Sequence, residues 1–243
     1  MEKDYLLHEG KAKKVYTLQD VEARDHLLVE FKDTISAFNG RKVDEIHEKG
    51  IMNNKICSHI FSFLEDNNIS THFLKRVSDR EMLVKRVQII PLEVVVRNIV
   101  SGSLIDRLDF AEGTYLEEPV VEFYYKQDKL DDPMLNYFHI KILDIATGNQ
   151  VDNITRQALK INDLLVDYFA RQNLLLVDYK IEFGWDIEGN IILADEISPD
   201  VSRLWDSETH KKLDKDRFRY ELGEVIAGYR EVLHRLSSEV SGE

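Results

Sequence analysis

The stretch LLLVDYKIEFGWDIEGNIILADEI, residues 174–197, is the most informative about the fold. Two runs of strand-forming apolar residues flank the turn signal Glu188-Gly189-Asn190, a pattern typical of a β-hairpin. In the first run, polar residues alternate with apolar ones, and the two-residue period of a strand places three of them on one face: Asp178, Lys180 and Glu182. The hairpin is therefore predicted to have one apolar face and one charged face.

The pairing of the two strands predicts a metal site. A two-residue loop at Glu188-Gly189 would set Glu182 opposite Asp195, with the side chains roughly 4.5 to 5.5 Å apart. A turn at Gly189-Asn190 would keep them diagonal neighbours on the same face. Carboxylates this close repel unless a cation lies between them, and two carboxylates with phosphate and water suit Mg²⁺. We therefore predict Glu182 and Asp195 as metal ligands; the alternative is that this face is the solvated side of an edge strand.

Outside the hairpin, the sequence predicts a mixture of strands and helices. Strands are expected over 13–18, 27–31, 82–87 and 92–97, with Pro91 separating the last two. Apolar residues at spacings of three and four predict helices over 49–66, over 218–236 and from Asp152 onward, with Asp152 or Asn153 as the cap of the last one. Residues 114–148 give mixed signals.

Composition excludes several classes of function. The 243 residues are 43% hydrophobic and 32% charged, as in soluble globular proteins. The net charge of -13 argues against nucleic acid as a partner. No apolar run approaches the roughly 20 residues needed to span a bilayer, and the start MEKDYLLHEG lacks the apolar core of a signal peptide, so no membrane partner and a cytoplasmic location are expected. Cys57 is the only cysteine, and a buried thiol is its expected role.

Two further motifs could bind anions. In EGKAKKVY, residues 9–16, small and basic residues precede a strand, so backbone N–H groups and lysines could lie over a polyphosphate. In LEVVVRNIVSGS, residues 92–103, a strand ends at Arg97 before a Ser-Gly-Ser turn, where a guanidinium and hydroxyls could bind phosphate or carboxylate. Taken alone, the first could equally be an exposed basic turn and the second a surface salt bridge.

Together these motifs resemble the SAICAR synthetase (phosphoribosylaminoimidazole-succinocarboxamide synthase) family. The matching blocks, in order, are GKAKKVY (10–16), KDTISAFNGRK (32–42), KGIMNNK (49–55), PLEVVVRNIVSGSL (91–104), DDPMLN (131–136), LVDYKIEFG (176–184), DEISPDVSRLWD (195–206) and DKDRFR (214–219). The resemblance implies an α+β, two-lobed fold distantly similar to protein kinases and ATP-grasp enzymes. A β-rich lobe with one helix, residues 1–88, would cover ATP, and a larger α/β lobe, residues 89–243, would carry the metal and ribonucleotide sites.

The resemblance also implies a reaction. An ATP-dependent carbon–nitrogen ligase of purine biosynthesis would phosphorylate the carboxylate of 5-aminoimidazole-4-carboxylate ribonucleotide (CAIR), and the amine of L-aspartate would attack the acyl phosphate. The products would be SAICAR, ADP and phosphate, and ATP and Mg²⁺ would be the cofactors. A carboxylate needs such activation because it is inert to amines until one oxygen becomes a leaving group. Homo-oligomerisation is left open.

Carried over by motif, the resemblance implies a role for each matched residue. ATP would be bound by Gly10, Lys11, Ala12, Lys13 and Val15, with a hinge beside the base from Lys85 to Ile89. The ribonucleotide would be bound by Arg97, Ser103, Ser202 and Arg203. The reacting centre would be lined by Asp178, Lys180 and Asp200 beside the metal ligands Glu182 and Asp195. Aspartate would lie near the segment that contains Asp33 and Ser36. The rival interpretations are a small-molecule kinase that uses the same ATP and metal sites, and a nucleotide-binding module without catalysis.

Overall fold

A computed structural model describes residues 2–19 and 25–238, and its N-terminal part is built mainly of strands. The strands are β1 (Lys3–Glu9), β2 (Lys13–Leu18), β3 (His26–Phe31), β4 (Thr34–Ala37), β5 (Lys42–Glu45), β6 (Phe73–Arg76) and β7 (Glu81–Lys85). Five of them form a sheet in the order β1-β2-β3-β7-β6, and β4 pairs with β5 in a separate hairpin. Helix α1 (Lys49–Asp66) has the bounds that its apolar period predicts.

The rest of the described chain forms a second sheet with helices against it. Its strands are β8 (Gln88–Ile99), β9 (Tyr115–Tyr125), β10 (Met134–Leu135), β11 (Leu174–Trp185), β12 (Ile191–Ala194) and β13 (Ser202–Asp206). Their order is β10-β9-β8-β11-β12, and β13 also pairs with β11. The helices are α2 (Ser103–Leu108), α3 (Tyr137–Ile142), α4 (Gly148–Arg171), α5 (Asp216–Arg219) and α6 (Val225–Ser237). The segment without a clear sequence pattern thus contains the long strand β9.

The two sheets share one hydrophobic core. Val29 of the first sheet and Ile60 of α1 belong to the same buried cluster as Val94, Ile161 and Ile181 of the second sheet and α4. The chain passes from one sheet to the other between Lys85 and Gln88. The predicted α+β class is confirmed. Within the described ranges, no helix is both long and apolar enough to cross a membrane.

The sequence analysis predicted that Pro91 separates two strands, and this prediction is wrong. It lies within β8, at the place where the register with β11 shifts between the pairs Gly184↔Ile89 and Glu182↔Glu93. An irregularity of this kind accommodates a residue that has no N–H to donate to a neighbouring strand. The strand break falls earlier, at residues 86–87.

Two predicted helix boundaries are wrong. Helix α4 begins at Gly148 rather than near Asp152, because Thr147 and Gln150 form a capping box that satisfies the first free N–H groups. The predicted helix over 218–236 is two helices, α5 and α6, separated by left-handed backbone at Glu221, Gly223 and Glu224. The prediction failed because the apolar period of the sequence continues across this turn. That period places Leu222 in the core, but Leu222 is 49% exposed.

Candidate functional site

The charged hairpin face lies in the middle of the second sheet. Strand β11 pairs with β8 on one side and with β12 and β13 on the other, so the alternative of a solvated edge strand is wrong. Asp178 and Glu182 are almost completely buried. Their carboxylates therefore require positively charged partners.

The register of the hairpin differs by one residue from the prediction. Glu182 pairs with Ala194 rather than with Asp195, because the turn contains five residues, 186–190. The Asp186 carboxylate stabilises this longer turn by accepting the backbone N–H groups of Glu188 and Asn190 at 2.9 and 2.8 Å. Regular alternation from this register would turn Asp195 away from Glu182.

Asp195 nevertheless acts on Glu182, because its backbone leaves the strand conformation. Its φ of 64° is in the left-handed region, and its Oδ1 lies 2.5 Å from Lys13 Nζ of β2. Burial first, and then the negative charge of Asp195, raise the pKa of Glu182 above its usual range. The two carboxylates thus interact electrostatically. The irregular backbone at Asp195, rather than direct cross-strand pairing, brings them together.

Three lysines neutralise these carboxylates. Lys13 contacts Asp195 and, at 2.9 Å, Glu196, while Lys126 forms an ion pair with Glu182. Lys180 Nζ lies 2.5 Å from Glu93 and 3.4 Å from Glu182. Burial opposes the charge of Lys13, but its acidic neighbours outweigh burial and raise its pKa. Burial likewise opposes the charge of Asp195, and the lysines outweigh it and lower that pKa.

Glu182 and Asp195 fit a magnesium ion whose remaining ligands come from substrate phosphates and water. In the described part of the chain, no three or more His, Cys, Asp or Glu side chains are grouped so that they could hold a metal. Mg²⁺, however, is commonly bound by one or two carboxylates that are completed by substrate phosphates and water. A cation here would also offset the repulsion that raises the pKa of Glu182.

The GKAKKVY segment forms the turn between β1 and β2 beside these carboxylates. The Gly10 N–H donates to the Lys13 carbonyl at 2.9 Å, and the Ala12 carbonyl accepts from Lys32 at 2.8 Å. Lys11 Nζ lies 2.8 Å from Asp128, which follows β9 of the second sheet, and Val15 packs against the shared core. Lys13 has a side-chain exposure of only 15%, so the segment is more than an exposed basic turn.

The predicted hinge lies where the chain changes sheets. The Lys85 N–H donates to the His72 carbonyl at 2.6 Å, and its ammonium donates to the Thr71 carbonyl at 3.2 Å. Ile89 pairs with Gly184 and is 36% exposed. An apolar side chain is therefore accessible at the join between the sheets.

Arg97, Asp178 and Arg203 are cross-strand neighbours on β8, β11 and β13. Asp178 Oδ2 accepts from both arginines, at 2.9 Å from Arg97 and 2.7 Å from Arg203. Arg97 also donates to Glu122 at 2.8 Å and to the Ser103 hydroxyl at 3.1 Å. The pKa of Arg203 is raised because Asp178 and Asp216 outweigh the cost of its burial. Asp178 thus orients two guanidinium groups within one site.

The backbone at Gly102 holds Arg203 closely. Gly102 has a φ of 57°, and a Cβ added to it would lie 2.5 Å from Arg203 Nη2. Only glycine allows this approach of the turn to the guanidinium. Beside it lies a cavity of about 260 Å³ lined by Arg97, Asp178, Lys180, Arg203, Lys215 and Arg219, among others.

Asp200 and Ser202 also line this cavity. The carboxylate of Asp200 accepts three hydrogen bonds: Lys49 Nζ lies 2.5 Å from Oδ2, Asn53 donates at 2.8 Å, and the Tyr229 hydroxyl donates to Oδ1 at 2.7 Å. The Ser202 hydroxyl has no hydrogen-bond partner among the described residues, although it is buried. Ser202 is therefore free to bind a ligand, whereas Asp200 is positioned by its neighbours.

Asp33 and Ser36 are not among the cavity-lining residues. Asp33 forms a two-point ion pair with Arg80, at 2.7 and 2.8 Å, and accepts the Gly50 N–H at 3.0 Å. Ser36 lies in β4 opposite Val43 of β5. Asp33 therefore connects the β4–β5 hairpin to the start of α1.

Sequence reasoning missed five charged residues that complete the site. They are Lys49, Glu93, Lys126, Lys215 and Arg219. Lys215 and Arg219 lie in the DKDRFR block, which was recognised without a role being assigned to its side chains. Cys57, by contrast, has its predicted role: it is fully buried, and its sulfur accepts the Ile197 N–H at 3.4 Å.

Known proteins resemble this chain over nearly its whole length. A family model described as SAICAR synthetase matches residues 6–236. The phosphoribosylaminoimidazole-succinocarboxamide synthase of Caldanaerobacter subterraneus is 52% identical over 236 residues, 97% of this chain and 99% of the relative. The crystal structure of that synthase from Ehrlichia chaffeensis superposes with a TM-score of 0.92 at 45% identity, covering 96% of this chain and 98% of the other. A SAICAR synthetase in complex with ADP has a TM-score of 0.91 at 45% identity, with coverages of 95% and 97%.

An α+β fold with a cavity lined largely by arginine and lysine is typical of an enzyme that acts on anionic small molecules. The matches confirm the resemblance read from the sequence blocks, including the fold. The chain belongs to the SAICAR synthetase family and is an ATP-dependent carbon–nitrogen ligase.

Proposed function

We propose that this chain joins CAIR to L-aspartate at the expense of ATP, giving SAICAR, ADP and phosphate in purine biosynthesis through an acyl phosphate. The observation that carries the proposal is the arrangement along β11. Glu182 lies beside Asp195 and the β1–β2 turn, whereas Asp178 lies between Arg97 and Arg203. Residues four apart on a strand are about 13 Å apart. This distance would separate the phosphoryl-transfer site at Glu182 from the ribonucleotide site at Asp178 while keeping both on one strand.

The nucleotide would lie between the β1–β2 turn and the start of the second sheet. Lys11, Lys13 and the backbone of Gly10 and Ala12 would contact its phosphates, and Val15 with the hinge Lys85 to Ile89 would border the base. When bound by Glu182 and Asp195, Mg²⁺ would offset negative charge on the transferred phosphoryl group. A SAICAR synthetase that is 45% identical was solved in complex with ADP, which supports nucleotide binding by this chain.

The ribonucleotide would lie against the guanidinium groups that Asp178 orients. Arg97 and Arg203 would grip its phosphate and carboxylate, and the hydroxyls of Ser103 and Ser202 would complete the anion site. Lys180 would lie beside the reacting carboxylate, where its positive charge favours the developing acyl phosphate. Alignment and electrostatic stabilisation suffice in such a site, so no nucleophilic side chain is required.

The setting of the enzyme is part of the same proposal. A biosynthetic ligase of small molecules would work in the cytoplasm, with residues 1–88 and 89–243 acting as its two lobes. Self-association as a homo-oligomer would cover exposed apolar side chains of α3, of which Phe138 and Ile142 are 70% and 79% exposed.

A coupled ADP-release assay in which each substrate is omitted in turn tests the proposal. We expect release to require both CAIR and aspartate; a small-molecule kinase would release ADP without aspartate. Glu182→Gln is expected to reduce turnover about 1000-fold or more because the metal site loses a charged ligand. The matched control is Glu188→Gln in the exposed turn of the same hairpin, which should retain wild-type rates. Equal activity in the two variants would contradict the metal assignment.

The acyl phosphate has its own test. With CAIR and ATP present and aspartate absent, reversible phosphoryl transfer would scramble ¹⁸O between the β,γ-bridging and the β-nonbridging positions of ATP, because the β-phosphate of bound ADP can rotate before ATP forms again. Scrambling that depends on CAIR is the expected result. Its absence in an enzyme that makes SAICAR would favour direct attack without the intermediate.

A further inference from the structure

Glu196 is a buried acid that no step of the proposed reaction uses. It directly follows the proposed metal ligand Asp195, and its side chain is 3% exposed, against 20% for Asp195. A buried carboxylate is costly unless it is paired and hydrogen-bonded, so its partners indicate its role. Those partners are Lys13, whose Nζ lies 2.9 Å from Oε1, and the Ser198 hydroxyl, which donates to Oε2 at 2.5 Å.

Lys13 lies between two consecutive carboxylates. Its Nζ is 2.5 Å from Asp195 and 2.9 Å from Glu196. Consecutive side chains of a regular strand point to opposite faces, so they could not both reach one ammonium. The left-handed backbone at Asp195, with a φ of 64°, turns the chain so that both carboxylates contact Lys13. One lysine beside the β1–β2 turn is thus held by two acids that differ in accessibility.

The more accessible acid is the one proposed to bind Mg²⁺. No three acidic, histidine or cysteine side chains in the described residues are grouped so that they could hold a metal, so Glu196 is not a third ligand beside Glu182 and Asp195. A bound cation is the largest charge in its surroundings, and a carboxylate that coordinates one attracts a neighbouring lysine less strongly. The ion pair with Glu196 would then be the main restraint on Lys13.

Glu196 is fixed in the orientation that this role requires. The Ser198 hydroxyl that donates to Oε2 also accepts the Asp200 N–H at 3.2 Å, so its direction is determined. The backbone next to Glu196 is held from α1, because the Ile197 N–H donates to Cys57 Sγ at 3.4 Å. Both carboxylate oxygens of Glu196 are therefore engaged within the protein, and neither is needed by a ligand.

We propose that Glu196 is a positioning residue for the nucleotide: it keeps Lys13 at the phosphates when Asp195 shares its charge with a metal ion. The inference rests on the proposed function and adds to it a residue that touches neither substrate nor metal. Removing an acid near the phosphates would, by charge alone, favour an anionic ligand such as ADP or its magnesium complex. Weaker nucleotide binding in Glu196→Gln would therefore indicate that Lys13 is displaced.

Equilibrium binding of ADP, measured by titration calorimetry in Mg²⁺ or in EDTA, tests this role. In EDTA, Asp195 still holds Lys13, so Glu196→Gln should change the Kd for ADP by no more than about threefold. In Mg²⁺, loss of the charge-assisted contact to Lys13 should raise the Kd about 10-fold or more. Glu188→Gln, in the exposed turn between β11 and β12, is the matched control and should bind ADP as the wild type does. Equal losses of affinity in Mg²⁺ and in EDTA would indicate a general structural fault and would overturn the proposal.

The double variant Lys13→Met/Glu196→Gln separates an effect through Lys13 from a direct effect on the metal. If Glu196 acts through Lys13, adding Glu196→Gln to Lys13→Met should change the Kd in Mg²⁺ by less than about twofold. A further loss of about 10-fold in that background would contradict the proposal. Ser198→Ala keeps both charges and removes only the hydroxyl that orients Glu196, so it serves if Glu196→Gln does not fold. Its Kd in Mg²⁺ should rise about threefold, and an unchanged value in every variant that folds would refute the role of Glu196.

Failure of the proposed function would give a different result. If Lys13 does not contact the nucleotide phosphates, Lys13→Met itself would leave the Kd for ADP unchanged. A loss of affinity in Lys13→Met without one in Glu196→Gln would contradict only the role of Glu196.

Discussion

The ion pair between Lys49 and Asp200 gives the sharpest prediction about stability. Lys49, at the start of α1, is 0% exposed, and Asp200, in the turn beside the cavity, is 5% exposed. Asn53 and Tyr229 complete the network, so the pair connects α1, this turn and α6. Lys49→Met would leave the Asp200 carboxylate buried with only neutral donors.

The expected cost follows from the burial of both groups. Removing one partner of a buried, hydrogen-bonded ion pair lowers the free energy of unfolding by about 3–5 kcal/mol. At about 2 °C per kcal/mol for a chain of this size, Tm should fall by about 6–10 °C. Burial opposes the charge of Asp200, but Lys49 and other cations outweigh it and hold its pKa well below its usual range.

This pKa determines how the stability difference depends on pH. A carboxyl group whose pKa is lowered by folding stabilises the protein above its unfolded pKa, and this contribution is lost as the pH falls through the folded value. Lys49→Met removes much of the attraction that keeps Asp200 ionised. The difference in stability between variant and wild type should therefore be greatest near neutral pH and should narrow below about pH 5.

Urea denaturation followed by circular dichroism, with calorimetry for Tm, measures these changes. Lys55→Met is the matched control, since Lys55 lies on the same helix in a more exposed pair with Asp79 at 3.2 Å. An exposed pair contributes about 1 kcal/mol or less. The double variant Lys49→Met/Asp200→Asn should recover part of the loss. The reasoning fails if Lys49→Met costs no more than Lys55→Met, or if the double variant is no more stable than Lys49→Met.

A further prediction concerns substrate affinity. Arg203→Ala should raise the KM for CAIR about 100-fold and change the KM for aspartate much less, because the Arg203 guanidinium lines the cavity proposed to bind the ribonucleotide. Initial rates measured while each substrate is varied in turn would show this difference. An unchanged KM for CAIR would contradict the assignment.

The sequence predicted the strands and helices that are determined by the periodicity of neighbouring residues. The alternation from Leu174 to Trp185 indicated one long strand with a charged face, and the apolar period of 49–66 marked α1 to the residue. The boundaries that failed depend on local hydrogen bonds that compete with periodicity. Thr147 begins α4 before its apolar stripe, and Asp186 stabilises a five-residue turn that shifts the hairpin register.

The site was harder to predict where it depends on contacts between distant segments. Nothing near Lys126 in the sequence indicates that it pairs with Glu182, and Lys49 meets Asp200 across 151 positions. Asp33 was assigned to the aspartate site from a matched motif. Its ion pair with Arg80 could not be predicted from the sequence, because it depends on the three-dimensional fold.

The left-handed backbone at Asp195 places two selective demands on a single position. Asparagine or glycine adopts this conformation at least as readily as aspartate, but neither carries the charge that pairs with Lys13, so a screen for thermal stability is expected to disfavour both. A library screened for turnover would reject both, since neither supplies an anionic oxygen to the ion that Glu182 is proposed to share. The charge of Asp195 rather than its backbone conformation therefore determines which residue can stand at position 195, and engineering of this chain for stability should leave that position unchanged.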